Sequence, residues 1–489
     1  MHTSTLGAEI AGSPDGISIQ YLKSNLAREE RIMGKDQTTR RKFLQRSAGA
    51  AAVASLGRFW PIHYASAQGK ADTLAALGGT PVRRGGFTPW PPVRPDIEKS
   101  LLEAFRSRRW GRTLQGPMQG AGLVVEFENR FAQLLGAKYC LATGSCTQAL
   151  HTALHAVGVG AGDEVLVSPC TFIASVQAIL MNGALPVFVD VDLETFQMDP
   201  AKIEALITPE TRAIEPVHIA GLPCDMERIM AIASRRGIPV VEDAAQAHLA
   251  KYGDRYCGTF GQIGCFSFQT SKQIACGEGG ALVTNDEALV EACYTFHNMG
   301  LGSNGLSVGI GTKYRMHELE AAILLPQLTT LPEEIHRRDE NAQYLAQLLE
   351  KIPGIIPQKR YPGVTQGGYY LFGLRYLREA FDNIARDVFL RALRAEGIPY
   401  TTMYFDRLNR QPFIENVLES RSFRRIFSAE RLRRYREANH CPNNDLLAEQ
   451  GIWLPQTVLL GDKRDMEDIA EAFAKIYRLR AQLRRLMKA

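Results

Sequence analysis

No two of the nine cysteines form a CxxC pair, and none stands at metal-ligand spacing from a histidine or a carboxylate. An odd, irregular set of this kind argues against a disulfide framework and against a zinc module; it predicts buried free thiols and no metal site. Long apolar runs are missing as well. An Ala-rich stretch near the N-terminus is too short and too mild to span a bilayer. Charge of one sign is nearly balanced, with 57 Lys and Arg against 52 Asp and Glu, a net of +5. No basic segment is interleaved with aromatics, so the case for nucleic acid fails. No internal repeat is present. What remains is 489 residues, 45% apolar and 22% charged, which is ordinary for an enzyme with a large core.

The N-terminal residues read differently from the rest. "TTRRKFLQRSAGAAAVASLG" (Thr38–Gly57) sets Arg40 and Arg41 ahead of Phe43 and Leu44, and "ASA" at Ala65–Ala67 offers small residues for cleavage. The pattern resembles a twin-arginine export signal. It leaves Met1 and Met33 as alternative starts, offers a cleavage point after Ala67, and implies a periplasmic or extracytoplasmic destination. A short basic amphipathic helix is the competing reading and implies the cytoplasm. The twin-arginine route carries folded proteins, so a cofactor acquired in the cytoplasm would travel inside.

"GGFTPWPPVRP" (Gly85–Pro95) reads as an extended arm. Helical periodicity follows in "DIEKSLLEAFRS" and "VVEFENRFAQLLGA". From Lys138 to Asp286 apolar strand-like runs recur: "DEVLVSP", "PVFVDV", "RAIEPVHI", "IPVVED", "GCFSF" and "GALVTND". Helix-like segments separate several of them. This alternation predicts an α/β fold with a mostly parallel sheet covered on both faces, and ligands at the carboxyl ends of its strands. A long helical stretch, His317–Ile352, broken near Pro326 and Pro332, leads to a smaller α/β domain. The expected divisions are an extension and signal over 1–67, an arm and large domain over 68–335, and a small domain over 336–489.

"CFSFQTSKQIACGEGGALVTND" (Cys265–Asp286) holds one lysine, Lys272, between an apolar run and a glycine pair. A lysine there suits a carbonyl trap, which works through the neutral amine. A pyridine-aldehyde cofactor also needs an acid facing its ring nitrogen. Asp243 in "VVEDAAQAH" ends a strand and points into the crevice; its plainer reading is a helix N-cap. Gln246 is within reach of the same ligand. "GSCTQALH" (Gly144–His151) turns from strand to helix, with Ser145 and Thr147 as phosphate donors beside the free N–H groups, or as simple caps. Ser267 adds a hydroxyl, and Phe172 offers a ring to stack on the pyridine or merely fills the core. "RSFRRIFSAERLRRYRE" (Arg421–Glu437) carries seven arginines, either a solvated helix face or an anion-binding lip.

Six ordered motifs carry a specific resemblance: "SCTQALHTALHAVGVGAGDEVLVSPCTFIAS", "GALPVFVDVD", "VHIAGLPCDM", "VVEDAAQAH", "FSFQTSKQIACGEGGALVTND" and "GTKYRMHELEAAILLPQL". Over roughly Gly78–Arg480 the chain resembles the DegT/DnrJ/EryC1/StrS family of sugar aminotransferases, which depend on pyridoxal 5'-phosphate and share the fold type I (aspartate aminotransferase) architecture. The resemblance implies a Schiff base on Lys272 and Asp243 against the pyridinium. Gln246 and Phe172 then hold the ring, and Ser145, Thr147, Gln148 and Ser267 the phosphate. It also implies a homodimer with shared sites, Lys313 and Arg315 reaching into the partner's site, and Tyr369 and Tyr370 facing substrate. The expected reaction moves an amino group from glutamate or glutamine to a keto-sugar or keto-cyclitol, with the cues "ALRAEGIPY", "RQPFIEN" and "GIWLPQTVLLG" favouring the scyllo-inosose branch. A dehydratase on the same fold and an exported non-catalytic relative are the alternatives. Two departures stand out. Cys146 replaces a usual glycine and is expected to crowd the phosphate loop, and "QGGYYLF" has glycines where many relatives place a substrate-facing histidine.

The signal reading makes a direct prediction. Residues 33–70 fused to a folded reporter are expected to export it, and Arg40→Lys with Arg41→Lys to block export; cell fractionation checks both.

Overall fold

A computed structural model describes residues 72–112 and 115–487. The twin-arginine stretch, Met33 and the Ala65–Ala67 site lie outside the described residues. Among those described, no helix is long and apolar enough to cross a membrane.

The strands are β1 (Tyr139–Thr143), β2 (Glu164–Val167), β3 (Leu185–Phe188), β4 (Thr211–Glu215), β5 (Val241–Asp243), β6 (Lys251–Tyr252), β7 (Arg255–Tyr256), β8 (Ile263–Ser267), β9 (Gly280–Thr284), β10 (Ile355–Pro357), β11 (Val364–Gln366), β12 (Leu371–Tyr376) and β13 (Gly451–Pro455). One run of strands is ordered β1-β9-β8-β5 and another β3-β2-β4. Parallel bridges Ile214↔Val240 and Val217↔Asp243 join β4 to β5, so the two runs form one continuous sheet. Only β9 runs against its neighbours.

Period-two alternation explains how this sheet is buried on both faces. Leu141, Cys265 and Leu282 point to the layer beneath the helices Cys146–Ala156 and Ile173–Met181. Their neighbours Cys140, Phe266, Ala281 and Val283 point the other way, onto the helices Leu123–Leu135 and Glu318–Gln327. Crossover helices between parallel strands leave the carboxyl ends of all but β9 on one edge. The helix Cys146–Ala156 starts at that edge, capped by Ser145, whose Oγ accepts from Gln148 N at 3.3 Å.

The long stretch after His317 divides as its prolines require. Glu318–Gln327 ends near Pro326, and a second helix, Leu331–Leu349, carries Pro332 in its first turn, where the missing N–H is harmless. This second helix spans two cores. Leu331 and Ile335 pack in the Phe127–Phe131 cluster, whereas Ala342, Leu345 and Leu349 pack around the antiparallel sheet β10-β12-β13. The expected division between 335 and 336 therefore falls inside a continuous helix.

The N-terminal arm joins the core that sequence order would not suggest. Leu74 is buried in the cluster of the β10-β12-β13 sheet, and Val82 and Phe87 pack against it. Glu396, fully buried, organises the junction: its carboxylate accepts from Ala75 N at 2.9 Å, Val82 N at 3.1 Å and Lys475 Nζ at 2.8 Å. Of the seven arginines in Arg421–Glu437, four are tied to carboxylates: Arg424 to Glu419, Arg431 to Glu164, Arg433 to Glu437, and Arg436 to Glu415 and Glu419. That pattern matches a helix surface laced by ion pairs.

Glu396→Ala should leave buried Lys475 with the Thr80 carbonyl but no counter-charge, and breaking a buried ion pair typically costs about 3–5 kcal/mol. The expected result is a lower denaturation midpoint and new protease sensitivity between residues 72 and 90, read by denaturant titration and limited proteolysis.

Candidate active site

The strand ends deliver the chemistry. Asp243 closes β5, and its carboxylate is held by two donors: Ser175 Oγ gives a hydrogen bond to Oδ2 at 2.7 Å, and Ala245 N to Oδ1 at 3.0 Å. Ser175 is in turn fixed by Thr171 Oγ1 at 2.7 Å. Burial raises the Asp243 carboxyl above its ordinary range, opposed by the Ser175 and Ala245 hydrogen bonds and the nearby charge of Lys272. The helix-cap reading of Asp243 thus gives way to a carboxylate gripped from the sheet and from the covering helix.

Lys272 follows β8 in a tight turn, with its N–H on Gln269 O at 2.8 Å. Only 8% of the residue is exposed, and Nζ lies 3.8 Å from the centroid of the Tyr370 ring. Such a seat on an aromatic face holds an amine without neutralising it by a carboxylate. Tyr370 Oη meets Ser271 Oγ at 2.8 Å, and Gln456 Nε2 donates to the carbonyls of Ser271 and Lys272 at 3.1 and 3.2 Å. Gln456 Oε1 accepts from Arg338 Nε at 2.8 Å. The lysine turn is therefore clamped by the residue before β12 and by one from the segment after β13.

Gln246 bonds to two strained neighbours. Its Oε1 accepts from Ala220 N and its Nε2 donates to Tyr404 Oη, both at 2.8 Å. Ala220 and Tyr404 both have φ of 62°, unusual for residues other than glycine and a frequent mark of functional sites. One Nε2 hydrogen remains for a ligand. His248 Nδ1 pairs with Gln273 Oε1 at 3.0 Å; burial, then Lys272, pushes this imidazole down to about 3, so it stays neutral. Phe172 ends the segment after β2 and is 54% exposed as a residue, leaving an aromatic side chain at the rim. Ser267 closes β8, and Ser145, Thr147 and Gln148 form the first turn of the helix after β1.

Several expectations change in detail. Cys146 does not crowd the phosphate loop. Its side chain is buried in the apolar layer with Leu141 and Ala149, because the first helical position after the Ser145 cap turns inward. The glycines of "QGGYYLF" have a steric reason. A Cβ on Gly367 would come within 2.5 Å of the Tyr369 ring and 2.8 Å of Leu222, and one on Gly368 within 3.0 Å of His248 O. The tyrosines part company: Tyr370 meets the lysine, whereas Tyr369 is buried with its hydroxyl accepting from Arg360 Nε at 3.1 Å. Lys313 is exposed, and Arg315 is bridged to Thr143 at the end of β1. Ser175, Tyr404, Gln273 and Gln456 escaped the sequence reading. Ser175 alone had a signal, its i,i+4 spacing from Thr171 at a helix start.

A lysine and a carboxylate at the carboxyl edge of a seven-stranded, mostly parallel sheet, with a second small sheet closing over them, define a fold type I pyridoxal-phosphate enzyme architecture. More particularly, the chain belongs to the DegT/DnrJ/EryC1/StrS aminotransferase family, which it matches over residues 115–474. It is 36% identical over 429 residues to an L-glutamine:2-deoxy-scyllo-inosose aminotransferase of Streptoalloteichus tenebrarius, covering 84% of this chain and 99% of that protein. It is 35% identical to the spore coat polysaccharide biosynthesis protein SpsC of Bacillus subtilis, with 81% and 98% covered. Among solved structures, 3-amino-5-hydroxybenzoic acid synthase superposes with a TM-score of 0.71 at 32% identity, over 80% of this chain and 99% of the other. S. venezuelae DesV in complex with a ketimine intermediate gives 0.67 at 30%, over 79% and 98%.

The grip on Asp243 yields a test. Ser175→Ala removes a hydrogen bond to a charged group, worth about 1.5–3 kcal/mol, so the Asp243 carboxyl should protonate roughly one to two pH units higher. The expected outcome is an acid limb of the pH–rate profile displaced upward by that amount, with the alkaline limb unmoved.

Proposed function

We propose that the protein transfers an amino group from glutamine to a keto-cyclitol, using pyridoxal 5'-phosphate. The observation that carries this reading is the seat of Lys272: a buried amine over the Tyr370 ring, at the same sheet edge as the Ser175-held carboxylate of Asp243. The residues fit the cofactor. Asp243 suits a protonated ring nitrogen, and Gln246 has an amide hydrogen to spare. Phe172 offers a flat surface. The first turn of Cys146–Ala156, with Ser145, Thr147 and Gln148, and Ser267 beside it, suits a phosphate. Bound there, the cofactor supplies an aldehyde for the amine and an electron-accepting ring.

The chain's own groups perform the rest. Lys272 Nζ is the base that takes the proton from the donor's α-carbon, and it returns a proton to the carbon that becomes aminated. The Tyr370 face and the Gln456 clamp keep that nitrogen aimed. The Asp243 anion keeps the ring nitrogen protonated. The identity of donor and acceptor rests on the names of the curated relatives, several of which are L-glutamine:2-deoxy-scyllo-inosose aminotransferases. The likeness to 3-amino-5-hydroxybenzoic acid synthase favours a second reading, in which the ring product becomes aromatic.

A second copy of the chain completes the site in this reading. Segment 299–316 shows apolar Leu306, Val308 and Ile310 to solvent, the last 88% exposed, and returns to the phosphate turn through Gly144 N and Tyr314 O. A homodimer would cover those side chains and bring Lys313 and Arg315 to the partner's site. Export by the twin-arginine route is likewise our proposal, resting on residues 38–57.

Borohydride reduction of the purified protein, followed by peptide mapping, is expected to place a pyridoxyl mass on the peptide bearing Lys272 and on no other. Glutamine should convert the bound chromophore to its amino form, and 2-deoxy-scyllo-inosose should convert it back. Failure of the mapping overturns the cofactor assignment; conversion only by other keto-sugars overturns the acceptor.

A further inference from the structure

Glu215, the last residue of β4, is a carboxyl with nothing to hold it. It is fully buried, and neither carboxyl oxygen has a hydrogen-bond partner. Its neighbours two residues away, Ala213 and Val217, point into the apolar layer beneath the helices Cys146–Ala156 and Ile173–Met181, and Glu215 shares their face. Across β2 it is level with Val167, and across β5 Val217 is level with Asp243. Glu215 thus sits one pleat repeat, about 7 Å along the strand, behind Asp243 on the same face. A leucine or methionine would fill such a place without burying a polar group. An unpartnered carboxyl is costly there unless it does something.

We propose that Glu215 and Asp243 form a carboxyl pair in which Glu215 keeps its proton, so that Asp243 stays ionised toward the cofactor's ring nitrogen. Only the last clause rests on the cofactor reading; the pair itself is a property of the chain. Two carboxylates this close in an apolar layer do not both ionise readily, and the environment decides which one does. Asp243 has the Ser175 hydroxyl, the Ala245 N–H and the charge of Lys272 to favour its anion. Glu215 has none of these. The titratable groups that share its surroundings are Asp243 from β5, Cys146 from the covering helix and Cys265 from β8. Burial pushes both thiols well above their usual range, so they bring no charge. Burial first, and then the charge of Asp243, push Glu215 upward.

The sign of the pH effect follows. The folded chain retains on Glu215 a proton that the unfolded chain releases above the ordinary carboxyl range. Stability therefore falls as pH rises from that range toward the folded value, by up to tenfold in the unfolding equilibrium per pH unit for one proton. Glu215→Gln and Glu215→Leu both lose this slope, and Leu avoids the polar burial altogether.

The direct test is infrared spectroscopy of the full chain, with the carbonyl stretch of a protonated carboxylic acid as the readout. At neutral pH that band is expected in the wild type and missing in Glu215→Gln. In Asp243→Asn, where the neighbouring charge is gone, the band should persist only to a lower pH than in the wild type. Absence of the band at neutral pH overturns the proposal. Loss at the same pH in both backgrounds overturns the pairing, since burial alone would then account for the proton. Should Glu215→Gln fail to fold, Glu215→Leu serves the same subtraction. Added pyridoxal phosphate provides a separate arm, in which visible absorbance reports whether the chain binds it. A chain that binds no pyridoxal phosphate would sink the cofactor reading while leaving the infrared result to judge the pair.

Discussion

Everything in the site depends on a close approach of backbone to backbone at the carboxyl end of β5. Gly368 N donates to Gly221 O at 2.8 Å, and Gln273 Nε2 joins the carbonyls of Gln246 and Gly368 at 2.7 and 3.1 Å. Three separate stretches of chain meet there with no room for a β-carbon. At Gly221, where φ is +89°, one would lie 2.5 Å from Gln246 O and 2.6 Å from Tyr369 N. The contact brings the start of β12 against the large sheet, and so brings the Tyr370 ring under the lysine amine. Glycine is required at these positions because the approach is shorter than any side chain permits.

The electrostatic arrangement is built on that scaffold. The buried groups near the lysine divide into those with partners for their charge and those held neutral. Asp243 has two donors. His248 and the Tyr404 hydroxyl are kept uncharged by burial, the tyrosine well above its usual range. Further back, the Arg112–Glu128 pair is wholly enclosed, with Glu128 also accepting from Ala142 N at 2.9 Å on β1. That pair fixes the strand whose end carries the Ser145 turn. Charge is thus retained where it orients backbone or a ligand, and suppressed elsewhere, which limits the desolvation that a polar cleft would otherwise impose.

Much of this was legible in the sequence because it is local. Apolar runs of four or five residues separated by helical periodicity gave the sheet, and Lys272, Asp243 and the Gly144–His151 turn stand in contiguous motifs whose chemistry can be reasoned out residue by residue. The parts that were not legible are long-range. Nothing local marks Tyr404 as the partner of Gln246, 158 positions away, or Gln456 as the clamp on Lys272. Leu74 precedes the large domain in sequence yet buries itself in the other core, since only the tertiary fold brings Glu396 to meet the arm. Cys146 misled for a related reason: its position in the motif was clear, but the direction of its side chain depended on the cap before it.

These two kinds of residue also separate two tasks. The groups that suit the cofactor sit at strand ends and on the helix that starts there, where register fixes them within the pleat. Other groups around that row come from elsewhere: Tyr370 from the residue before β12, Tyr404 from the segment between β12 and β13, Phe172 from a rim and Lys313 from an exposed segment. None of them contributes to the sheet's register, yet Tyr370 and Tyr404 steady the side chains and turns that the strand ends deliver, Lys272 and Gln246. At Gly367 and Gly368 the space a side chain would need is already taken by Tyr369, Leu222 and the His248 carbonyl, so the chain closes this side of the site with backbone.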